Sequence, residues 1–233
     1  MIQREFLLAM LLCTGDAAVA ATVSGRVMDE KNRPVMGATV WIHVRPDGSV
    51  RPTPYSAWAQ SGPGGVFRIP DVPAGQYSAC VRAANGPYVD GCMWGTPARF
   101  SVASNPQVNI GALQIAEGHD FRVRIDDPRG ELNGGEGGAR QTDLKIGLWT
   151  SRGFFCPLPV KHRSPNGIEY GGIVPYGDTI RLSIRSEMLT LKDERGEPVR
   201  RGQEFRQAFL VKPGKKASEV RFELRPEADQ SVH

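Results

Sequence analysis

The stretch GGVFRIPDVPAGQYSACV, Gly64 to Val81, contains two alternating runs separated by Pro73-Ala74-Gly75. Apolar side chains recur at every second position on both sides of the break, which is the period of a half-buried β-strand. The break supplies turn residues, and its glycine is suited to a positive φ angle. We expect the Tyr77 ring to be buried while its hydroxyl reaches a backbone group, as in the tyrosine corners of other sandwiches. The stretch therefore predicts a strand pair of a β-sandwich.

The residues before this stretch follow the same period. Apolar side chains alternate between positions 22 and 44 and predict two further strands, with DEKNRP as the turn between them. We expect Gly37 to adopt a backbone conformation that other residues avoid. Parity within the quoted stretch places Ser78, Cys80 and Arg82 on the outer face of their sheet.

An ordered series of short motifs in this half of the chain resembles a known domain family. The series is Gly25-x-Val27, Arg33-Pro34-Val35-x-Gly37-Ala38-x-Val40, Gly65-x-Phe67 and Val72-Pro73-Ala74-Gly75-x-Tyr77. It resembles the carboxypeptidase regulatory-like domain over about residues 21–103. The resemblance implies a transthyretin-like sandwich of seven strands with a non-catalytic binding or spacing role, and it names no ligand. The long segment 45–60, rich in proline and aromatic residues, departs from the shorter connection expected there.

Beyond Pro106 the alternation resumes, and turn signals separate the runs. We therefore predict an all-β chain with a second antiparallel β-sandwich at residues 107–227 and a disordered tail at 228–233. The glycine-rich segment 131–140 is interpreted as a flexible surface loop, because no Gly-Lys-Ser/Thr follows it to form a phosphate cradle. The apolar strand positions are Val108 and Ile110; Phe121, Val123 and Ile125; Ile146 and Leu148; Ile180, Leu182 and Ile184; and Val220, Phe222 and Leu224.

The first twenty residues have the features of an export signal. Arg4 precedes an apolar core at 6–12, and Ala18-Val19-Ala20 forms a small-residue cleavage site. The apolar run is too short to span a bilayer, and the bulky Leu12 disfavours lipid attachment at Cys13. We predict cleavage after Ala20 and a soluble, secreted or periplasmic protein, and the resemblance favours a bacterial export route.

Three cysteines follow the predicted cleavage site, and an oxidising compartment favours a bridge between two of them. Cys80 and Cys92 are the closest pair in sequence, so we expect them to form a disulfide that clips the intervening loop onto the outside of the sheet. Cys156 is then unpaired. A nucleophilic role and burial as a small apolar side chain are both open; burial is preferred because no histidine lies near in sequence.

Residue types that carry catalysis or bind metals are scattered along the chain. A formal net charge of +4 is too small to favour a nucleic-acid partner. We expect no metal or other cofactor, since no histidines have the spacing of metal ligands. An intradiol ring-cleaving dioxygenase has a core that resembles this sandwich, and its iron would need histidine ligands after Tyr77. The chain reads Ser-Ala-Cys-Val-Arg there, so these ligands are missing and the dioxygenase is disfavoured. The histidines after the predicted cleavage site are His43, His119, His162 and His233.

Charged pairs have simpler explanations than catalysis. Three acidic pairs lie in predicted turns, where solvated carboxylates are expected: Asp29-Glu30, Asp126-Asp127 and Asp193-Glu194. Outward arginines would form a basic stripe if their strands were neighbours. Neutralisation by carboxylates such as Asp120 and Glu223 is the preferred interpretation. The arginines are Arg122, Arg124, Arg181 and Arg185.

Four aromatic residues are the candidate ligand-binding side chains: Trp41, Tyr55, Trp58 and Trp94. Trp41 should point outward from its strand, Tyr55 and Trp58 lie in the long connection, and Trp94 follows Cys92, which places it near the same outer sheet face. Exposed aromatic rings stack on sugars or anchor a protein partner. The alternative, preferred because a sheet face normally has a cover, is that segment 45–60 or the second module conceals them.

These features predict a secreted, non-catalytic binding or structural module that recognises extracellular polysaccharide or a cell-envelope protein. A first alternative is a small secreted enzyme with its site in the second module, around His162, Tyr170 and Tyr176. A second alternative is an accessory subunit of an envelope assembly that docks through its sheet edges.

Overall fold

The computed structural model describes residues 20–45, 54–83, 86–130, 132, 143–213 and 217–225. Within these ranges the chain is all-β, as predicted: its strands form four sheets, and the remaining regular element is a 3-10 turn at Pro63–Gly65. No helix within these ranges has the length and apolar character needed to cross a membrane. The predicted signal segment up to residue 19, the predicted tail and nearly all of the glycine-rich segment 131–140 lie outside the described residues.

Seven strands form the first sandwich: β1 (Ala21–Asp29), β2 (Ala38–Val44), β3 (Ser56–Gln60), β4 (Val66–Val72), β5 (Gly75–Ala83), β6 (Ala98–Val102) and β7 (Gln107–Ile115). One sheet has the order β4-β1-β7, and the other has the order β3-β2-β5-β6. The strand number agrees with the resemblance. Every pair is antiparallel except β1 with β7, which is parallel.

Apolar side chains from the inner faces of both sheets form one hydrophobic core. Val23, Val40 and Phe67 are among its fully buried members, and each such side chain contributes about 1.5–3 kcal/mol of hydrophobic stabilisation. Gly37 has the predicted positive φ, at 77°, where the chain re-enters the sheet before β2. The alternation read from the sequence therefore identifies the buried face of each strand.

The two runs of the quoted stretch lie in opposite sheets, because β4 pairs with β1 whereas β5 pairs with β2 and β6. The turn between them therefore connects the two layers of the sandwich. The Tyr77 hydroxyl donates to the carbonyl oxygen of Pro73 at 2.8 Å, which confirms the predicted contact. The positive φ predicted for Gly75 is wrong. A Cβ there would lie 3.3 Å from the Tyr77 ring, so this glycine makes room for the ring instead.

The strand that contains Val108 and Ile110 belongs to the first sandwich and not, as predicted, to the second. It is β7, which pairs with β1, and Leu113 and Ile115 near its end enter the first core. Alternation identifies a strand without identifying its partner, so the sequence pattern did not reveal this assignment. The first sandwich therefore extends past the expected boundary at 103–107 to the end of β7.

Ten strands form the second sandwich: β8 (Gly118–Asp126), β9 (Lys145–Trp149), β10 (Phe155–Pro157), β11 (Val160–Ser164), β12 (Gly167–Pro175), β13 (Thr179–Arg185), β14 (Thr190–Asp193), β15 (Pro198–Val199), β16 (Glu204–Leu210) and β17 (Ser218–Arg225). One sheet has the order β11-β12-β8-β17-β14-β15, and the other has the order β10-β9-β13-β16. A second hydrophobic core lies between them, with Phe121, Leu148 and Ile180 fully buried.

The predicted disulfide is present. Cys80 on β5 and Cys92 in the following loop are joined, with 4.9 Å between their Cα atoms. Cys80 faces outward from its sheet, so the bridge fixes the loop on the outside, as parity predicts. Cys156 is unpaired and buried, which confirms the preferred interpretation of this residue as a packed apolar side chain.

Candidate binding surface

Trp41 and Trp58 lie side by side on the outer face of the β3-β2-β5-β6 sheet. The two residues face each other in the register of β2 with β3, and their ring centroids are 6.0 Å apart. His43, two residues along β2, stacks nearly parallel to Trp41, with 6.2 Å between the centroids and 2° between the planes. We call these three residues the aromatic platform. Trp58 is 56% exposed, so its ring is open to solvent.

The surroundings of the platform follow from strand register. Trp41 is opposite Cys80 on β5, so the disulfide borders one side of the indole. His43 is opposite Ser56 on one neighbouring strand and Ser78 on the other. The platform is thus bordered by a covalently fixed loop and by two hydroxyl groups.

Tyr55 and Trp94 do not join the platform. Tyr55 lies on the inner side of the sheet, where its ring meets the edge of Tyr77 at 5.9 Å and its hydroxyl donates to the Asp71 carbonyl oxygen at 3.3 Å. Burial, with a smaller contribution from the Asp71 charge, raises the pKa of the Tyr55 hydroxyl. Trp94 packs against the core of the second sandwich. The structure therefore separates the four predicted aromatic residues into three locations.

The expected cover of the platform is absent from the described part of segment 45–60. Ser56–Gln60 forms β3, which extends the sheet sideways beside β2 and itself carries Trp58 on the outer face. Residues 46–53 lie outside the described residues. Trp94, and not Trp41, packs against the core of the second sandwich. Trp58 consequently remains the most accessible of the four candidates.

The residues named for the enzyme alternative do not converge. His162 is exposed on β11, whereas Tyr170 on β12 is buried in the second core, and burial raises the pKa of its hydroxyl. Tyr176 lies beside a different histidine, His119, with 6.2 Å between the ring centroids. Among the described residues, no group of three or more His, Cys, Asp and Glu side chains is placed to hold a metal ion.

One contact that the sequence did not indicate joins His119 and Ser218. The Ser218 Oγ and the His119 Nε2 are 2.9 Å apart, and the Ser218 backbone N–H donates to the same nitrogen at 3.1 Å. Because the His119 Nε2 accepts this backbone hydrogen bond, the histidine links β8 to β17 and has a structural role. Because 99 positions separate the two residues, no local motif could have identified the pair.

The basic stripe that outward arginines would form on neighbouring strands is not present. Arg122 and Arg124 lie on β8, whereas Arg181 and Arg185 lie on β13 in the other sheet. Asp120 accepts two hydrogen bonds from Arg122, at 2.6 and 2.8 Å, and this pairing raises the pKa of the guanidinium. The preferred interpretation, a solvated and salt-paired sheet face, is therefore confirmed for β8.

A cleft of about 150 Å³ lies between the two sandwiches, lined on one side by Tyr88, Asp90 and Trp94 and on the other by Leu148, Cys156 and Val174. Sites for drug-sized ligands usually have about 300–1,000 Å³. The cleft is thus smaller than the usual site for a drug-sized ligand.

Comparison with known proteins identifies one domain. Residues 22–87 match the family model of the carboxypeptidase regulatory-like domain. No curated protein matches the chain.

Several solved structures are similar at low identity. The Bacillus anthracis TIE protein is 9% identical, with 89% of this chain and 51% of that chain covered and a TM-score of 0.33. A streptococcal ancillary pilin is 13% identical, with 91% and 64% covered and a TM-score of 0.40. The minor pilin of Streptococcus agalactiae is 11% identical, with 92% and 100% covered and a TM-score of 0.36. This chain thus spans about half to two thirds of the first two. The family match, in contrast, coincides with β1 to β5 and their motifs, and the first sandwich therefore contains a carboxypeptidase regulatory-like domain.

Proposed function

We propose that this protein is an exported, non-catalytic module that binds polysaccharide through the aromatic platform. The observation that carries the proposal is the adjoining pair Trp41 and Trp58, of which Trp58 is 56% exposed on a paired, regular sheet. A flat apolar ring that stays open to water has a face available for the apolar face of a sugar.

The polar border of the platform supports a sugar as the ligand. Ser56 and Ser78 flank His43 on the two neighbouring strands, and hydroxyl and imidazole groups exchange hydrogen bonds readily with sugar hydroxyls. Strand pairing and the nearby disulfide hold Trp41 in place before any ligand arrives. A rigid site loses less conformational entropy on binding than a mobile loop does.

The disulfide supports the location. Disulfide bonds persist in oxidising compartments such as the periplasm and the cell exterior, and Cys80–Cys92 is formed here.

We further propose domain limits of 21–115 and 118–225, because these ranges contain the strands of the two sandwiches. On this view the protein serves the cell envelope, with the second sandwich joined to the platform-bearing one.

The test is a binding panel of cellulose, chitin and peptidoglycan with the protein from Ala21 onward. Trp58→Ala should weaken binding to the recognised polymer by about tenfold or more, which corresponds to losing about 1.4 kcal/mol of stacking. Met36→Ala is the control, since Met36 is a 70% exposed apolar side chain that precedes β2 and is not part of the platform. Equal affinity of Trp58→Ala and the parent protein would rule out the platform. Capture of an envelope protein that Trp58→Ala abolishes, without polysaccharide binding, would replace the sugar with a protein partner.

A further inference from the structure

A second pair of aromatic rings lies on the outer face of the β10-β9-β13-β16 sheet, in the other sandwich. Phe155 on β10 is opposite Trp149 on β9, and their ring centroids are 5.3 Å apart. Phe155 is 37% exposed, while Trp149 is half-buried. Neither residue contributes to the hydrophobic core of its sandwich.

The position of the Phe155 ring depends on a neighbouring glycine. A Cβ on Gly147 would lie only 2.4 Å from Cζ of Phe155 and 2.6 Å from its Cε2. The ring therefore occupies the space in which a side chain of β9 would stand, and it lies close to the backbone of the sheet. This arrangement gives the face a fixed, shallow aromatic surface.

The charges beside this surface are unevenly paired. Arg185 forms an ion pair with Glu187 at 2.7 Å, and Arg206 forms one with Glu204. Arg181, which is opposite Trp149 in the register of β13 with β9, forms no ion pair with any described residue. Lys145, opposite Arg185, also forms none within the described ranges. Two cations on a face that also carries aromatic rings are thus without a counter-charge among the residues that the structure describes.

Glu204 completes the polar side of the face. Its carboxylate accepts a hydrogen bond from the Ser183 hydroxyl at 2.5 Å, and the hydrogen bonds from Arg206 and then from Ser183 lower its pKa. The Trp149 indole N–H contributes to this lowering, yet it makes no hydrogen bond of normal geometry with a described group. Glu204 is therefore ionised and paired with Arg206, and no described carboxylate forms an ion pair with Arg181.

We propose that this face is a second binding site, and that it takes an anionic polysaccharide whose sugars carry carboxylates. A sugar ring stacks on Phe155, and a carboxylate of the chain binds the guanidinium of Arg181. Neighbouring strands lie about 4.8 Å apart, so Phe155 is about 10 Å from the strand of Arg181, a span that a disaccharide covers.

The size of the face favours a sugar over a protein. Four strands make it about 14 Å wide, and five residues of β9 make it about 17 Å long. A standard protein interface buries about 800 Å² on each partner, which is several times the area available here. The site lies in the other sandwich from the aromatic platform and does not depend on the function proposed for Trp58.

The test measures binding of polygalacturonate to the protein from Ala21 onward, with neutral dextran and polyglutamate as comparison polymers. Arg181→Gln should weaken binding to polygalacturonate by about tenfold or more, because a charge-assisted hydrogen bond is lost. Phe155→Ala should weaken it as well. Arg185→Gln is the matched control: this arginine shares the strand and face of Arg181 but is already paired with Glu187, so binding should be unchanged.

Each outcome decides the proposal. Higher salt should weaken the binding, since exposed charges are screened, and Trp58→Ala should leave it unchanged even if the aromatic platform binds nothing. Equal binding by Arg181→Gln and the parent protein would overturn the proposal. Equally tight binding of dextran would remove the role of the carboxylate. Equally tight binding of polyglutamate would remove the role of the sugar ring and point to an acidic protein partner.

Discussion

The pKa of the Cys156 thiol depends on where this side chain lies in the fold. It lies on β10 beside the cleft between the sandwiches and is buried. Burial, and to a smaller extent the negative charge of Asp90, raises the pKa of its thiol. A raised folded-state pKa means that folding favours the protonated thiol. This stabilising contribution is complete below the unfolded-state pKa and is lost as the pH rises through the folded-state value.

We expect Cys156 to react slowly with a thiol reagent in the native protein. The thiolate is the reactive form, and both the raised pKa and burial reduce its availability. With the protein from Ala21 onward, which lacks Cys13, timed labelling at neutral pH should modify one thiol per chain only after a denaturant is added, because Cys80 and Cys92 are bridged. The labelling of reduced, denatured protein provides the control of three thiols. Rapid labelling of the native protein would show that Cys156 is accessible.

Trp94 shows that the direction of a side chain can be predicted from the sequence in a regular strand but not in a loop. Parity correctly placed Trp41, Cys80 and Ser78 on an outer face because each belongs to a regular strand. Trp94 lies in a loop, where alternation does not apply. Its ring packs against the core of the second sandwich and not on the outer sheet face where it was expected. The location of Tyr55 could not be predicted for a different reason. It lies one residue before β3, and its parity could be assigned only once the start of that strand was known.

At the scale of strands, local pattern identified the elements but not their partners. The alternation at Val108 and Ile110 is a correct strand signal, yet the strand pairs in parallel with β1. The second sandwich repeats this arrangement, since its first strand β8 pairs in parallel with its last strand β17. Parallel pairing of distant strands depends on which apolar faces meet in three dimensions, and no turn sequence encodes it.

A turn motif recurs in the two sandwiches and has the same hydrogen bonds in both. Asp29 accepts bonds from the backbone N–H groups of Lys31 and Arg33, and Asp193 accepts bonds from those of Arg195 and Glu197. Asn32 and Gly196 occupy equivalent positions and both have positive φ. The similar sequences DEKNRPV and DERGEPV thus encode the same local turn. Asp29 ends β1, the first strand of its sandwich, whereas Asp193 ends β14, the seventh strand of the other, so the two motifs do not encode the same place in the fold.

Gly25 provides a test of strand packing in β1. A Cβ at this position would lie 2.6 Å from the Gly111 carbonyl oxygen and 2.8 Å from the Phe67 ring. We expect Gly25→Ala to lower the free energy of unfolding by about 1–3 kcal/mol, because the neighbouring strand must move. Denaturant-induced unfolding measures the change. Ser24→Ala, at the adjacent half-buried position, should have a much smaller effect; equal effects of the two variants would contradict the packing argument.

At the scale of the whole molecule, the disulfide-closed loop connects the two sandwiches. The loop begins at Cys80 on the first sandwich, and Trp94, just beyond Cys92, packs against the second core. From the second sandwich, the Arg152 guanidinium donates to the backbone carbonyl oxygens of Trp94 and Gly95. The bridge that the sequence predicted as a clip on one sheet thus also positions a contact between the two halves, which only the three-dimensional arrangement reveals.

This arrangement predicts that Trp94 and the disulfide act together. Trp94→Ala should lower the free energy of unfolding by about 2–4 kcal/mol, somewhat less than for a fully buried tryptophan, because the ring is half-buried. Reducing Cys80–Cys92 removes the constraint on a loop with a sequence separation of 12, which costs about 3 kcal/mol in the chain-entropy model. If the bridge holds Trp94 in place, reduction should cost less in Trp94→Ala than in the parent protein. Calorimetry of both proteins, oxidised and reduced, measures this difference. Strictly additive costs would mean that the loop positions Trp94 without help from the bridge, through contacts such as those with Arg152 and the second core.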